Sequence, residues 1–215
     1  MTVPKKKTTR NNKHKHQQFE VENLEDDLLN FDEKTYKIQN FKIFPLKFKS
    51  KKQKDFFDLC KSEDVKLLIC DGPAGSGKTF LAMYTALKLI KQGKYKHIMY
   101  VRSPVDSSDK GIGFLPGDLD DKTLNYMIPL EEKLAKFLSY EDIRHLLDND
   151  VIIPTVNTFM RGRSIDDTIV IIDEVQNYSM NEIQTILTRF EENTKIIACG
   201  DKMQSDIGLG SCLNK

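Results

Sequence analysis

The stretch that most constrains this chain is LLICDGPAGSGKTFLAMYTALKLI, residues 67–90, where a short apolar run meets three glycines, a lysine and a threonine before helical spacing resumes. Gly72-Pro73-Ala74-Gly75-Ser76-Gly77-Lys78-Thr79 fits G-x-x-x-x-G-K-[ST], the P-loop, with a strand pattern before it and a helix pattern after it. Glycines let the backbone curl so that successive N–H groups face inward, and the helix that follows adds the positive end of its dipole, so the turn can cradle a polyphosphate. Lys78 is expected to reach the β- and γ-phosphates, and Thr79 to offer its hydroxyl to a magnesium ion.

The rest of the chain repeats the same alternation. Apolar runs at Leu67 to Cys70, His97 to Val101, Val151 to Val156, Ile169 to Ile172 and Lys195 to Cys199 do not alternate with polar residues, as expected of strands buried on both faces. Between them, Lys78 to Lys91, about 119–138 and Met180 to Phe190 repeat apolar residues at three or four, the helical period. Strands alternating with helices predict an α/β fold, a doubly wound, mainly parallel sheet with helices on both faces. Pro116 and Gly117 punctuate a loop, and DSSDKGIG, residues 106–113, reads as a mobile surface loop.

A second acidic site lies downstream of the glycine loop. Ile169-Val170-Ile171-Ile172-Asp173-Glu174 is an apolar strand ending in two carboxylates, the pattern of a Walker B box. Asp173 is expected to hold the magnesium and Glu174 to polarise the attacking water as a general base. A kinase must keep water from the γ-phosphate, so a carboxylate beside the metal aspartate favours ATP hydrolysis. A third run, IIACGDKMQ, sets a polar tip after a buried strand; Asp201 or Gln204 there could sense the γ-phosphate, or Asp201 could simply cap a turn.

Composition narrows the setting. With 215 residues the chain has room for one domain and tails, and no apolar stretch is long enough to span a bilayer. Lysines near the N-terminus precede no apolar run, so a secretory signal is not expected and a cytoplasmic location is. Cys60, Cys70, Cys199 and Cys212 are scattered and read as thiols, and His14 and His16 as solvated tail residues. The net charge of +1 hides segregation. Residues 1–19 carry six Lys/Arg and no acid, residues 20–33 seven acids and no base, and residues 41–54 six lysines and no acid. Such blocks mark disorder or interaction arms, and residues 1–35 are expected to form a disordered charged tail ahead of a domain at 36–215.

Read together, Gln53 in KKQKDFF, GPAGSGKT, YVRSPVDSSDKGIGFLPGDLDDK, TFMRGRSIDD, IVIIDEVQN, LTRF and GDKMQSD resemble the PhoH family of P-loop ATPases, similar to the first motor lobe of superfamily 1 helicases, over about residues 44–208. The resemblance implies a RecA-like fold, ATP and Mg²⁺ as ligands, an adenine contact from Gln53, and a γ-phosphate sensor in the Asp201–Gln204 segment. It also implies a ring, hexameric in the family, in which an arginine from one subunit completes the next subunit's site. Arg161 and Arg163 are the first candidates for that finger, with Arg189 and Arg102 behind them. A bacterial or phage-infected cell is the implied setting. Family members usually continue into a further strand and helix past this chain's last residues. RNA or single-stranded DNA is an expected partner, from the basic tail, the lysines of 42–54 and the Arg102/Lys110 loop, although the near-zero net charge and the lack of a recognisable binding module weigh against it. Two other functions stay open at this point: a non-catalytic, ATP-dependent oligomeric scaffold, and a small-molecule kinase.

Overall fold

A computed structural model of the chain describes residues 40–103, 128–156, 165–191 and 193–214. Within them five strands form one sheet: β1 (Leu67–Asp71), β2 (His97–Arg102), β3 (Ile152–Val156), β4 (Thr168–Asp173) and β5 (Thr194–Gly200), in the spatial order β1-β5-β4-β2-β3. Every pairing is parallel. Helices α1 (Lys51–Lys61), α2 (Lys78–Lys91), α3 (Tyr140–Asp148) and α4 (Met180–Leu187) accompany the sheet, together with helical residues 128–134. The expected doubly wound, RecA-like P-loop architecture is the one observed, with β5 inserted between the glycine-loop strand and the strand that ends in Asp173.

The unbroken apolar runs have a direct cause. In β4, Ile169 and Ile171 join one core with Ile98, Tyr100, Leu87 and Leu130, while Val170 and Ile172 join a second core with Val101, Tyr178 and Ile186. Successive side chains point to opposite faces, so a strand covered on both faces is apolar along most of its length rather than at alternate positions. β1 departs from that expectation. Among the described residues it is an edge strand, and Leu67 and Ile69 are 46% and 57% exposed, so one of its faces is left open.

Two helices were not legible as such. α1 begins inside the lysine block of residues 41–54, whose charge alone points to an arm; Ser50 Oγ accepts from Gln53 N, and Phe56 and Phe57 pack on the first core while the lysines stay outside. α3 is short, opens on an N-cap at Ser139 and buries only Ile143 and Leu146. In the expected helix at 119–138, the described helical residues run from 128 to 134 and give way to a turn at 135–137. α2 has the predicted bounds. It carries Lys88 and Lys91 in its last turn, where they complement the helix dipole.

Lys195 lies in β5 at 2% exposure, beside Cys60. Its Nζ donates to Ser62 O at 2.7 Å and to Val65 O, so the ammonium ties the α1–β1 connection to the sheet through carbonyls. Burial lowers its pKa. Burial likewise pushes the Cys60 thiol up to about 12 and the Cys199 thiol well above its ordinary value, and all four cysteines are free thiols, as expected. No helix among the described residues is long and apolar enough to cross a membrane.

Candidate functional site

Parallel strands that start in register also end together, and loops from their carboxyl ends converge on one edge. Asp71 of β1 is opposite Gly200 of β5, and Asp173 of β4 is opposite Arg102 of β2. The glycine loop, the Asp173–Glu174 pair and the Asp201–Gln204 turn therefore share one edge of the sheet.

The loop from Gly72 to Thr79 is held in a left-handed curl. Gly75 and Gly77 have φ of 72° and 88°, conformations that side chains resist. Gly77 is the N-cap of α2 and makes no side-chain cap, so the cap residue leaves the first-turn N–H groups open to another acceptor. Gly72 N donates to Gly200 O at 3.1 Å and Ser76 N to Pro73 O at 3.3 Å. Lys78 Nζ donates to Gly72 O at 2.6 Å and Pro73 O at 3.0 Å, which lays the ammonium across the loop mouth. Ser76 Oγ is buried with no hydrogen-bond partner among the described residues. Amides, an ammonium and an orphaned hydroxyl gathered in one curl fit a polyphosphate.

Asp173 is the electrostatic centre of the edge. Its Oδ1 accepts from Thr79 Oγ1 at 2.5 Å and from Glu174 N at 3.2 Å. Its Oδ2 accepts from Lys133 Nζ at 2.6 Å and from the Tyr100 hydroxyl. Burial acts to raise the Asp173 carboxyl, but the Lys133 charge and the hydrogen bonds from Lys133, Thr79 and Tyr100 outweigh it and hold the group below the ordinary carboxylate value. The Tyr100 hydroxyl moves the other way, pushed far up by its own burial and by the neighbouring carboxylate. Thr79 and Asp173 present adjacent hard oxygen donors, the kind of set that suits Mg²⁺ shared with phosphate oxygens.

Glu174 has φ 53° and ψ 47°, a left-handed conformation that a non-glycine residue adopts only when its surroundings enforce it. Its Oε2 accepts from Gln176 Nε2 at 2.6 Å. Gln176 is 1% exposed, and its Oε1 accepts from Asp201 N at 3.0 Å. Asp201 in turn accepts from Ala74 N at 3.1 Å through Oδ2 and from Met203 N at 3.0 Å through Oδ1. A continuous chain of hydrogen bonds thus runs from Glu174 through Gln176 and Asp201 to the glycine loop. Asp201 both caps its turn and holds the loop. Asn177 adds a second tie, pairing with Asp206 at 2.7 and 2.9 Å.

Gly200 is what lets Gln176 approach. A Cβ there would sit 2.7 Å from Gln176 Oε1 and Val175 Cγ1 and 3.2 Å from Gln176 N. Gly200→Ala is expected to destabilise the protein by about 1–3 kcal/mol through overpacking, read as a shifted denaturant midpoint. An unchanged midpoint would mean that the contact relaxes freely.

The remaining predicted residues are dispersed. Gln53 reaches the outer side of the loop, donating from Nε2 to Ser76 O at 3.0 Å and accepting from Lys49 N at 2.8 Å through Oε1. Gln204 is exposed, with its backbone N–H donating to Asp201 O at 2.9 Å. Arg102 ends β2 beside Asp173, whereas Arg189 bonds Ile165 ahead of β4 and so lies at the opposite edge. Arg161, Arg163, Lys110, the 106–113 loop, Pro116 with Gly117, and residues 1–35 lie outside the described residues. Lys133, Tyr100 and Gln176 were not singled out from the sequence. The first two look like an ordinary helix lysine and strand tyrosine until the fold brings them to Asp173, while Gln176 was visible only inside the motif DEVQN.

A family model described as "PhoH-like protein" matches residues 45–214. Among known proteins, the chain is 35% identical to a PhoH-like protein of Bacillus subtilis (strain 168) over 172 residues, covering 80% of this chain and 53% of that one. It is 34% identical to a PhoH-like protein of Synechocystis sp. over 159 residues, covering 74% and 48%, and 32% identical to Protein PhoH of Escherichia coli (strain K12) over 152 residues, covering 70% and 43%. The chain therefore spans about half the length of these relatives. Among solved structures, the large terminase of a thermophilic bacteriophage in complex with ADP aligns at TM-score 0.45 and 12% identity, over 70% of this chain and 38% of that one. The Sulfolobus solfataricus SWI2/SNF2 ATPase core in complex with dsDNA aligns at TM-score 0.46 and 15% identity, over 80% and 36%.

Proposed function

The chain belongs to the PhoH-like family, and from that premise we propose that it binds ATP with Mg²⁺ and hydrolyses it. The observation that carries this reading is the 2.5 Å hydrogen bond from Thr79 Oγ1 to Asp173 Oδ1, which joins the hydroxyl closing the phosphate loop to the carboxylate ending β4 across 94 positions of sequence.

In this reading Gly72, Pro73, Ala74, Gly75, Ser76 and Gly77 wrap the phosphates, and Lys78 turns from the Gly72 and Pro73 carbonyls to the β- and γ-phosphate oxygens. Thr79 and Asp173 would hold Mg²⁺, which when bound would offset charge developing on the transferring phosphoryl group. Glu174, steered by Gln176, accepts the proton of the attacking water. Asp201, with Gln204 beside it, is set to register loss of the γ-phosphate, because it bonds the phosphate loop on one side and the Gln176–Glu174 pair on the other. Gln53 lies against the loop on the side we assign to the adenine.

Assembly and cargo extend the same reading. A cytoplasmic ring, six subunits in this reading, would supply an arginine from one copy to the next copy's site: Arg161 or Arg163 first, Arg102 or Arg189 otherwise. RNA or single-stranded DNA would run along a surface that includes the lysines at 42–54. The deciding experiment measures ATP hydrolysis with and without single-stranded RNA or DNA, alongside solution mass. Stimulation by a strand in a high-mass species supports the reading. Strand-independent, near-zero turnover in an assembled ring would favour an ATP-dependent scaffold.

A further inference from the structure

The carboxylate at the centre of the site already has a cation, and the chain supplies it. Lys133, on helical residues 128–134, donates from Nζ to Asp173 Oδ2 at 2.6 Å and to the Tyr100 hydroxyl at 2.9 Å, with Nζ 5.3 Å from the centroid of the Tyr100 ring. The Asp173 side chain is 4% exposed and that of Lys133 is 29% exposed. Both oxygens of the carboxylate are engaged: Oδ1 by Thr79 and the Glu174 N–H, Oδ2 by Tyr100 and Lys133.

We propose that Lys133 is a tethered counter-cation that competes with the divalent metal for Asp173, so that metal–nucleotide loading requires its ammonium to withdraw from the carboxylate. The inference rests on the reading of Thr79 and Asp173 as metal ligands. A single buried carboxylate without a cation is costly, so the lysine keeps Asp173 ionised and oriented before metal arrives. One carboxylate cannot fully satisfy an ammonium and a divalent ion together, because in a water-poor site the two cations repel strongly. Lysine suits this competition because its charge is compact, its stem is flexible, and its partial exposure gives the ammonium a path to water. The consequence is a raised magnesium threshold, set by a residue outside the phosphate loop and the Walker B strand.

The test compares the wild type with Lys133→Met, which keeps the stem and removes the charge, at pH 8 so that Asp173 stays ionised in both. Mg²⁺ is titrated at fixed ADP, and the readout is the Mg²⁺ concentration that gives half of the ADP-induced rise in Tm. Without Mg²⁺ and ADP, Lys133→Met should melt below the wild type. Its Mg²⁺ midpoint should be about tenfold lower, the scale of one hydrogen bond to a charged group, and Lys133→Arg, which retains a cation, should stay near the wild-type value. If Lys133→Met does not fold, Lys133→Gln serves for the same titration. A midpoint unchanged or raised in the uncharged variant, while the wild type responds to Mg²⁺ and ADP, overturns the competition and leaves the nucleotide site standing. A wild type that gains no stability from ADP at any Mg²⁺ concentration overturns both.

Discussion

Glu174→Gln is expected to cut ATP turnover by about 10²–10⁴-fold, the contribution of a positioned general base, while nucleotide binding survives. The geometry favours so clean a separation. Glu174 Oε2 accepts from Gln176 Nε2 at 2.6 Å, and a glutamine carbonyl at 174 can accept the same hydrogen bond. The left-handed backbone at 174 and the link through Gln176 to Asp201 are then retained, and what is lost is the ability to take a proton from water. Phosphate release in steady state and the nucleotide-induced rise in Tm, measured on the same preparation, check the two halves. Hydrolysis at the wild-type rate in the variant would remove Glu174 from the chemistry.

Asp173→Asn should damage stability and metal binding together. Removing one member of a buried ion pair costs about 3–5 kcal/mol when the other charge stays trapped, and the partial exposure of Lys133 reduces this to about 2–3 kcal/mol. The double substitution Asp173→Asn with Lys133→Met should recover part of that loss, because the stranded ammonium goes with its partner. Mg²⁺-dependent nucleotide affinity should vanish in both. The same pair sets a pH dependence. Because the folded Asp173 carboxyl lies below its ordinary value, its contribution is complete above the unfolded pKa of about 3.9 and is lost as pH falls from there through the lowered folded value. Denaturant midpoints collected from pH 7 down to about 3 should fall less steeply for Asp173→Asn than for the wild type over that window. Parallel curves would place the titrating group elsewhere.

How much of this was readable beforehand depended on whether the signal was local. The glycine loop and α2 were legible because Gly75 and Gly77 fix the turn and a helical period follows at once. β4 was legible because burial on both faces leaves only apolar residues between Thr168 and Asp173. The same reasoning failed at β1, since an apolar run does not reveal that its strand lies at a sheet edge with Leu67 and Ile69 open. α1 was hidden by its lysines, which dominate the composition while Phe56 and Phe57 do the packing. Lys133 was out of reach altogether, because its meeting with Asp173 joins positions 40 residues apart through tertiary structure alone. Gln176 sat in view inside DEVQN, yet its bond to Asp201 depends on the bare backbone at Gly200, which only the strand register reveals.

In the proposed site the hydroxyl of Thr79 and the carboxylate of Asp173 jointly serve one metal ion on a nucleotide held by the glycine loop. Crystals grown with ADP and Mn²⁺, the manganese located by its anomalous scattering, address it without reliance on turnover. The expected map holds a single strong peak bonded to Thr79 Oγ1 and a β-phosphate oxygen, with Asp173 bound to it directly or through one water and the Lys133 ammonium drawn away. A nucleotide seated elsewhere, or a manganese peak out of reach of both side chains, would contradict it.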